Sequence, residues 1–297
     1  MPTARISVGW AAVAAGSLAA LAVFAPDGLW LLAFLGIVIV THEAGHLIVA
    51  RRAGMRPTEF YWGFGPEVVA LQVGDCRYGL KAVFLGGYVQ LVGMTPSATL
   101  PEGFDEAATY RAASHRGRVA TILAGPAVNL VLAWLAFVAA ALLEGEGPVA
   151  AIGRGADDVW FVVEGTAQAL GRWITHLGDY VASLLDLSGA TEAPVRFMSP
   201  VAQAEVSGWV IESGPVAVLR WFGVLSCAIG AVNLIPLPPL DGAHAAVAGL
   251  DAIRHRFLPG STRPLDMTRA VPLAYLTVTV LIALSLSALV LDVRDLI

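Results

Sequence analysis

Charge is what this chain has least of: Asp, Glu, Lys and Arg make up 14% of its 297 residues, whereas 57% are hydrophobic and the mean hydropathy is +0.72. Soluble domains carry about a quarter charged residues, so an ordinary water-soluble fold is excluded and lipid is the solvent for much of the chain. Basic stripes and nucleic-acid motifs are missing as well, and with a formal charge of −5 this excludes a nucleic-acid partner. Cysteine is scarcer still. Cys76 and Cys227 fall in a short β-prone region and in an apolar run, which argues against a disulfide framework and for packing roles. Repeats and low-complexity blocks are absent, so residues 1–297 read as one membrane-embedded unit.

Against that background one stretch is anomalous. FLGIVIVTHEAGHLIVA, residues 34–50, carries three ionisable side chains within a run otherwise fit for lipid, each costing about 3 kcal/mol near a bilayer centre on insertion scales. On a helix, His42 and His46 are four residues apart and share a face, so their imidazoles can converge on one metal ion. Glu43 points beside them. This is the H-E-x-x-H arrangement of zinc hydrolases, two ligands and a carboxylate base. From this stretch alone, polar residues packed inside a helix bundle remain the alternative.

The remaining chain supplies a frame for it. Residues 8–25 form a short span, or a signal segment, followed at once by a span over 29–50, the pair making a helical hairpin. Arg51, Arg52 and Arg56 mark the cytoplasmic side. Residues 58–94 turn to β-prone runs: Val68–Val73 and Arg77–Phe84 read as a hairpin about Gly74-Asp75, with a further strand Tyr88–Val92 after Gly86-Gly87. An edge strand there holds an extended peptide by β-addition, or the sheet is purely structural.

Residues 95–118 read as a polar loop in which His115 is solvated. A span over 119–143 contains Gly125, Pro126 and Asn129, and an Asn at membrane depth is either helix-to-helix glue or a site residue. Residues 159–187 read as an interfacial amphipathic helix on the outer side, with His176 on its polar face; residues 188–214 are loop-like. The span over 215–241 breaks at Pro236, Pro238 and Pro239, and such a break is tolerated where it lines a polar cavity. Asp241 emerges from the break, although LDG by itself is equally a turn. Arg254, Arg256, Arg263 and Arg269 return that end to the cytoplasmic side, and a last span covers 270–291. The fold class is an all-α polytopic membrane protein of four to five transmembrane helices, with a small membrane-associated β-sheet and an interfacial helix. Asp241 then lies on the same side as His42 and His46, where it can complete their coordination sphere or serve simply as a turn residue.

THEAGH at 41–46, GPAVN at 125–129 and NLIPLPPLDGAH at 233–244 resemble, in order and spacing, the signatures of the site-2 proteases, intramembrane zinc metalloproteases of peptidase family M50. YGLKAVFLGGYVQLVGM at 78–94 and MTRAVPLAYLTVTVLIALSL at 267–286 look like the actinobacterial members that cleave anti-sigma factors. The resemblance covers most of residues 30–290. It implies Zn²⁺ on His42, His46 and Asp241, with Glu43 as general base and acid. It also implies that Asn129 and Asn233 position the substrate or polarise its scissile carbonyl, and that Gly86, Gly87, Tyr88, Val89, Gln90 and Leu91 belong to a β-loop that binds the unwound substrate. That substrate would be a single-span membrane protein such as an anti-sigma factor, pre-cut by another protease, with the site toward the cytoplasmic face of the bacterial cell membrane.

Two departures stand out. The last motif reads DGAH where relatives often have DGGH, and the resemblance assigns no role to His244. Between Glu144 and Trp160 there are fewer than twenty residues, where members of this group usually carry a PDZ domain, too few to bury a core. Gating is then left to 159–187, a partner or prior trimming. Two rival readings are a catalytically silent metal-binding scaffold and a metal transporter. Glu43 speaks against the first, and the concentration of ionisable groups at one depth against the second.

Overall fold

The structure, a computed structural model, describes residues 3–94, 99–185, 197–257 and 270–294. A strand, β1 (Thr3–Ile6), leads directly into the apolar helix α1 (Val8–Phe24), which turns at Pro26 into α2 (Asp27–Arg52). With 26 residues, α2 is ~39 Å long and exceeds the ~30 Å hydrocarbon core. The chain thus returns beside its own start. There β2 (Pro57–Val73) and β3 (Cys76–Leu91) form a hairpin around Gly74, whose φ of 59° suits a tight turn. β1 pairs antiparallel with β2, from Thr3 opposite Gln72 to Ile6 opposite Val69.

The several short strands expected over 58–94 are therefore parts of two long ones. Each long strand bends at glycines, Gly63 and Gly65 in β2 and Gly86 in β3, all with positive φ. Bending lets Glu59 to Trp62 face Gln90 to Gly87 on one side and Arg77 to Leu80 on the other. Among the described residues, 87–91 have the 57–62 segment as their sheet partner, so this end of β3 is an edge.

Helix α3 (His115–Leu143) begins with Ser114 Oγ accepting from Gly117 N–H and crosses back. His115 is thus the first helical residue, its Nδ1 2.7 Å from Arg118, rather than a solvated loop histidine. A four-residue turn leads to α4 (Pro148–Thr175), then α5 (Leu177–Leu185) and α6 (Pro200–Glu212). The expected amphipathic segment at 159–187 starts eleven residues earlier, with Pro148 at the first helical turn. It does not stand clear of the bundle. Val159, Val162 and Val163 pack on Ala133, Phe137 and Cys227, so α4 runs back along the half of α3 away from the sheet. Residues 200–212, expected as loop, are the helix α6, while 186–196 lie outside the described residues.

The next span, α7 (Pro215–Asn233), stops where the prolines begin, and α8 (Asp241–Phe257) opens on Asp241. The last helix is α9 (Val271–Arg294); Arg263 and Arg269 fall outside the described residues. Among the described residues four helices, α2, α3, α7 and α9, are long and apolar enough to cross a membrane, so the molecule is a mostly helical, multi-pass membrane protein carrying a small antiparallel sheet. α3 is its hub, packed against α2, α4, α7 and α8. Fully buried Ala133, Ala140, Ala141 and Cys227 keep those contacts close, as small residues do between helices in lipid. Both cysteines are buried and unpaired by disulfide.

Candidate metal centre

Helical spacing puts His42 and His46 one turn apart on the face of α2 that meets α3, and both are buried. α3 comes close because positions that touch it lack side chains. A Cβ at Gly45 would lie 2.7 Å from the Ala124 carbonyl oxygen. From α3 itself, a Cβ at Gly125 would lie 2.4 Å from His46 Nε2 and 2.6 Å from His42 Nε2. The third group arrives from the broken span. Prolines end α7, and the chain doubles back so tightly that a Cβ at Gly242 would meet the carbonyl oxygens of Leu234 and Ile235 at 2.3 and 2.4 Å. That fold delivers Asp241 to the histidines.

Three donor atoms then form a compact triangle. His42 Nε2 and Asp241 Oδ2 are 2.9 Å apart, His46 Nε2 and Asp241 Oδ2 3.3 Å, and the two Nε2 atoms 3.1 Å. Ligands about 2.0–2.1 Å from a tetrahedral zinc are separated by about 3.3 Å, so the triangle matches three corners of that polyhedron. Two imidazole nitrogens facing each other at 3.1 Å call for a cation or a shared proton between them. His46 shows which nitrogen is available: its Nδ1 donates to the Thr121 carbonyl at 2.7 Å, leaving the Nε2 lone pair free to bind metal. Pro126 has no N–H for the Ile122 carbonyl, and it is in this turn of α3 that Thr121 serves His46. Asp241 Oδ2 is the carboxylate corner of the triangle. The residues present therefore fit a zinc ion: two imidazoles, one carboxylate and a fourth direction left to the cavity.

Glu43, beside the triangle, lines a cavity of about 390 Å³ together with His42, His46, Asp241, Asn233 and His244. Val89 of β3 lines the same cavity, and the edge of β3 lies against the candidate base at Gly87. Contact is that close because residue 87 is glycine: a Cβ there would lie 3.0 Å from Glu43 Cγ and from Ile39 Cγ2. Gly86, Gly87, Tyr88, Val89 and Leu91 all line the cavity. Gln90 is exposed and is not among the lining residues. Asn233 lines it too, with Nδ2 bonded back to the Ile229 carbonyl at 3.0 Å. His244, one turn along α8 from Asp241, is held below the ordinary imidazole pKa chiefly by burial, against the pull of Asp241.

Asn129 stands apart from that set. It is fully buried and absent from the cavity wall, with Nδ2 3.2 Å from His42 Nδ1. Sequence reasoning missed Thr121 and the reason for Gly125. The signal was present in the i, i+4, i+8 spacing of Thr121, Gly125 and Asn129 along one helix ridge.

Peptidase family M50, as a profile, matches residues 30–277. The zinc metalloprotease Rip1 of Mycobacterium tuberculosis is 40% identical over 109 residues, which cover 37% of this chain and 27% of that protein. A candidate zinc metalloprotease of Clostridium acetobutylicum is 21% identical over 287 residues, covering 71% of this chain and 83% of its own. One from Brucella suis is 24% identical over 328 positions, covering 77% of this chain and 86% of its own. Since 328 positions cover 77% of a 297-residue chain, about a hundred of them fall opposite gaps here, the length of a small domain.

Proposed function

This chain belongs to peptidase family M50, and from that premise we propose that it is a zinc-dependent intramembrane endopeptidase that cuts within the transmembrane segment of a single-span substrate. The observation that carries the proposal is the meeting of three elements. The His42–His46–Asp241 triangle, with both histidines buried, the adjacent Glu43 and an edge strand of a sheet share one cavity at the end of membrane-spanning helices. Zinc held by His42, His46 and Asp241 supplies the Lewis acidity that brings the pKa of water toward ~7 and polarises a carbonyl. Glu43 takes the proton of the attacking water on a carboxylate oxygen and passes it to the leaving amide nitrogen. The segment 87–91 offers its free edge to an extended peptide, which a helical substrate must become before its amide is exposed. Apolar Ile39, Phe64, Val89, Leu91, Met94, Ile122 and Ile229 in the cavity suit side chains from a membrane segment.

Orientation follows from charge. Arg51, Arg52 and Arg56 stand at the sheet end of α2, so in our reading the site opens toward the cytoplasm of a bacterial cell. The substrate class suggested by the actinobacterial resemblance is an anti-sigma factor already trimmed by a first protease. With four residues joining α3 to α4, we read the gapped positions of the longer relatives as a regulatory domain that this protease unit does without. Purified protein and a model single-span substrate test the reading. Wild type is expected to hold one zinc and cleave, and Glu43→Gln to keep its zinc while losing roughly 10²–10⁴-fold in rate. Zinc-loaded wild type that cuts no membrane segment would overturn the reading.

A further inference from the structure

We propose that Asn129 is a positioning residue for the metal: it holds His42 in the tautomer that ligates through Nε2, and does not touch the substrate. The inference rests on the zinc reading above. A histidine that binds metal through Nε2 carries its proton on Nδ1, and that N–H needs an acceptor. For His46 the acceptor is the Thr121 carbonyl, 2.7 Å away. For His42 the atom facing Nδ1 belongs to the Asn129 amide, at 3.2 Å. The amide oxygen Oδ1 is buried without a hydrogen-bond partner among the described residues. A half-turn of the amide exchanges its oxygen and nitrogen at almost no steric change. It then presents Oδ1 to Nδ1–H, which gives the orphan oxygen a donor and frees Nε2 for the metal.

Three further observations place Asn129 in this role. It is 0% exposed, and the cavity wall does not include it, so a peptide in the cavity meets Asn233 and His244 instead. Its backbone is pinned from both sides. The Asn129 carbonyl accepts from Ser226 Oγ at 2.8 Å, and a Cβ at Gly230 of α7 would lie 3.0 Å from Asn129 Cβ. Lastly, Thr121, Gly125 and Asn129 form one ridge of α3. Its first and third positions each anchor the outer nitrogen of one histidine, and its middle position is bare where the two Nε2 atoms lie. One helix thus orients both imidazoles.

The test is the zinc dissociation constant of the full chain in detergent, by chelator competition, with the visible spectrum of the cobalt-substituted protein beside it. Asn129→Leu removes the acceptor and should weaken zinc by roughly 10–100-fold, change the cobalt spectrum and let excess zinc restore cleavage. Asn129→Asp, which keeps an acceptor of the same shape, should hold zinc within about threefold of wild type. Its folding also keeps the test decisive if the leucine variant fails to fold, since weak zinc binding by Asn129→Asp overturns the proposal. So does Asn129→Leu with wild-type zinc affinity and spectrum but lost cleavage, which would make it a substrate residue. A wild-type chain that binds no zinc would instead sink the underlying zinc reading.

Discussion

At the scale of single residues, a glycine carries as much of the site as the ionisable groups do. His42, His46 and Asp241 converge only because α3 offers bare backbone at Gly125, where a methyl group would sit 2.4 and 2.6 Å from the two Nε2 atoms. Real contacts of that kind do not fall below 3 Å, and the neighbour that must yield is an imidazole held on its far side by Thr121 or Asn129. Gly125→Ala is therefore expected to leave a folded, membrane-inserted protein, because alanine favours a helix over glycine, but to weaken zinc by more than about 100-fold. Chelator competition checks this; tight zinc in the alanine variant would mean that α3 does not press on the ligands as described. His42, Glu43 and His46 were legible in the sequence because their relation is local, fixed by the helix repeat alone. The work of Thr121, Gly125 and Asn129 was not, since it depends on how near two helices lie, and nothing in either helix alone states that distance.

At the scale of elements, the sheet is the part most altered by the structure. The strand propensities of 58–94 and the turn at Gly74-Asp75 were readable, but strand lengths were not, because glycine bends look like strand ends in sequence. β1 was hidden for a different reason: four residues form a strand only where the α1–α2 hairpin brings β2 beside them. A polar lock holds the curled sheet. Glu67 accepts from Tyr61 Oη and from Arg77, both at 2.7 Å, while Lys81 lies 4.7 and 4.9 Å from the ring centres of Tyr61 and Tyr88. Tyr88 lines the cavity, so this lock stiffens the edge proposed to bind substrate. Burial pushes the Glu67 pKa upward, yet its bonds with Tyr61 and Arg77 prevail and keep it below the ordinary 4.5. A lowered native pKa contributes stability at pH values above the unfolded one and loses it as pH falls through the native one. Between pH 6 and pH 3.5 the melting temperature should thus drop by roughly 1–3 °C more in wild type than in Glu67→Gln. Parallel melting curves for the two proteins would show that the lock contributes nothing.

At the scale of the whole molecule, the bundle separates its chemistry from its fastening. The metal triangle sits where α2, α3 and α8 meet near the sheet, whereas the charges of α3, α4 and α7 meet at the opposite end. There Arg220 reaches Glu144 at 2.7 Å and Asp158 at 3.5 Å, and Arg154 lies 3.4 Å from Glu144. Spans and their alternation could be read from hydropathy and arginines, but the path of α4 could not. Gly147, Gly153, Gly155 and paired aspartates at 157 and 158 disguise the helix, and its docking on Ala133, Phe137 and Cys227 is a tertiary fact. Docked so, α4 covers the flank of α3 and α7 without touching a candidate ligand, which suits it to restrict entry in place of a larger filter. Arg220→Gln tests that role, since Glu144 keeps Arg154 while the partly exposed Asp158 loses its partner to solvent. Pairs of this kind are screened by solvent and hold little stability, so zinc content should stay unchanged. Cleavage of an untrimmed substrate, relative to a pre-trimmed one, should rise roughly 2–5-fold. If that ratio does not move although the variant folds and binds zinc, α4 is scaffold rather than gate, and admission to His42, Glu43 and His46 must be controlled by trimming or by a partner.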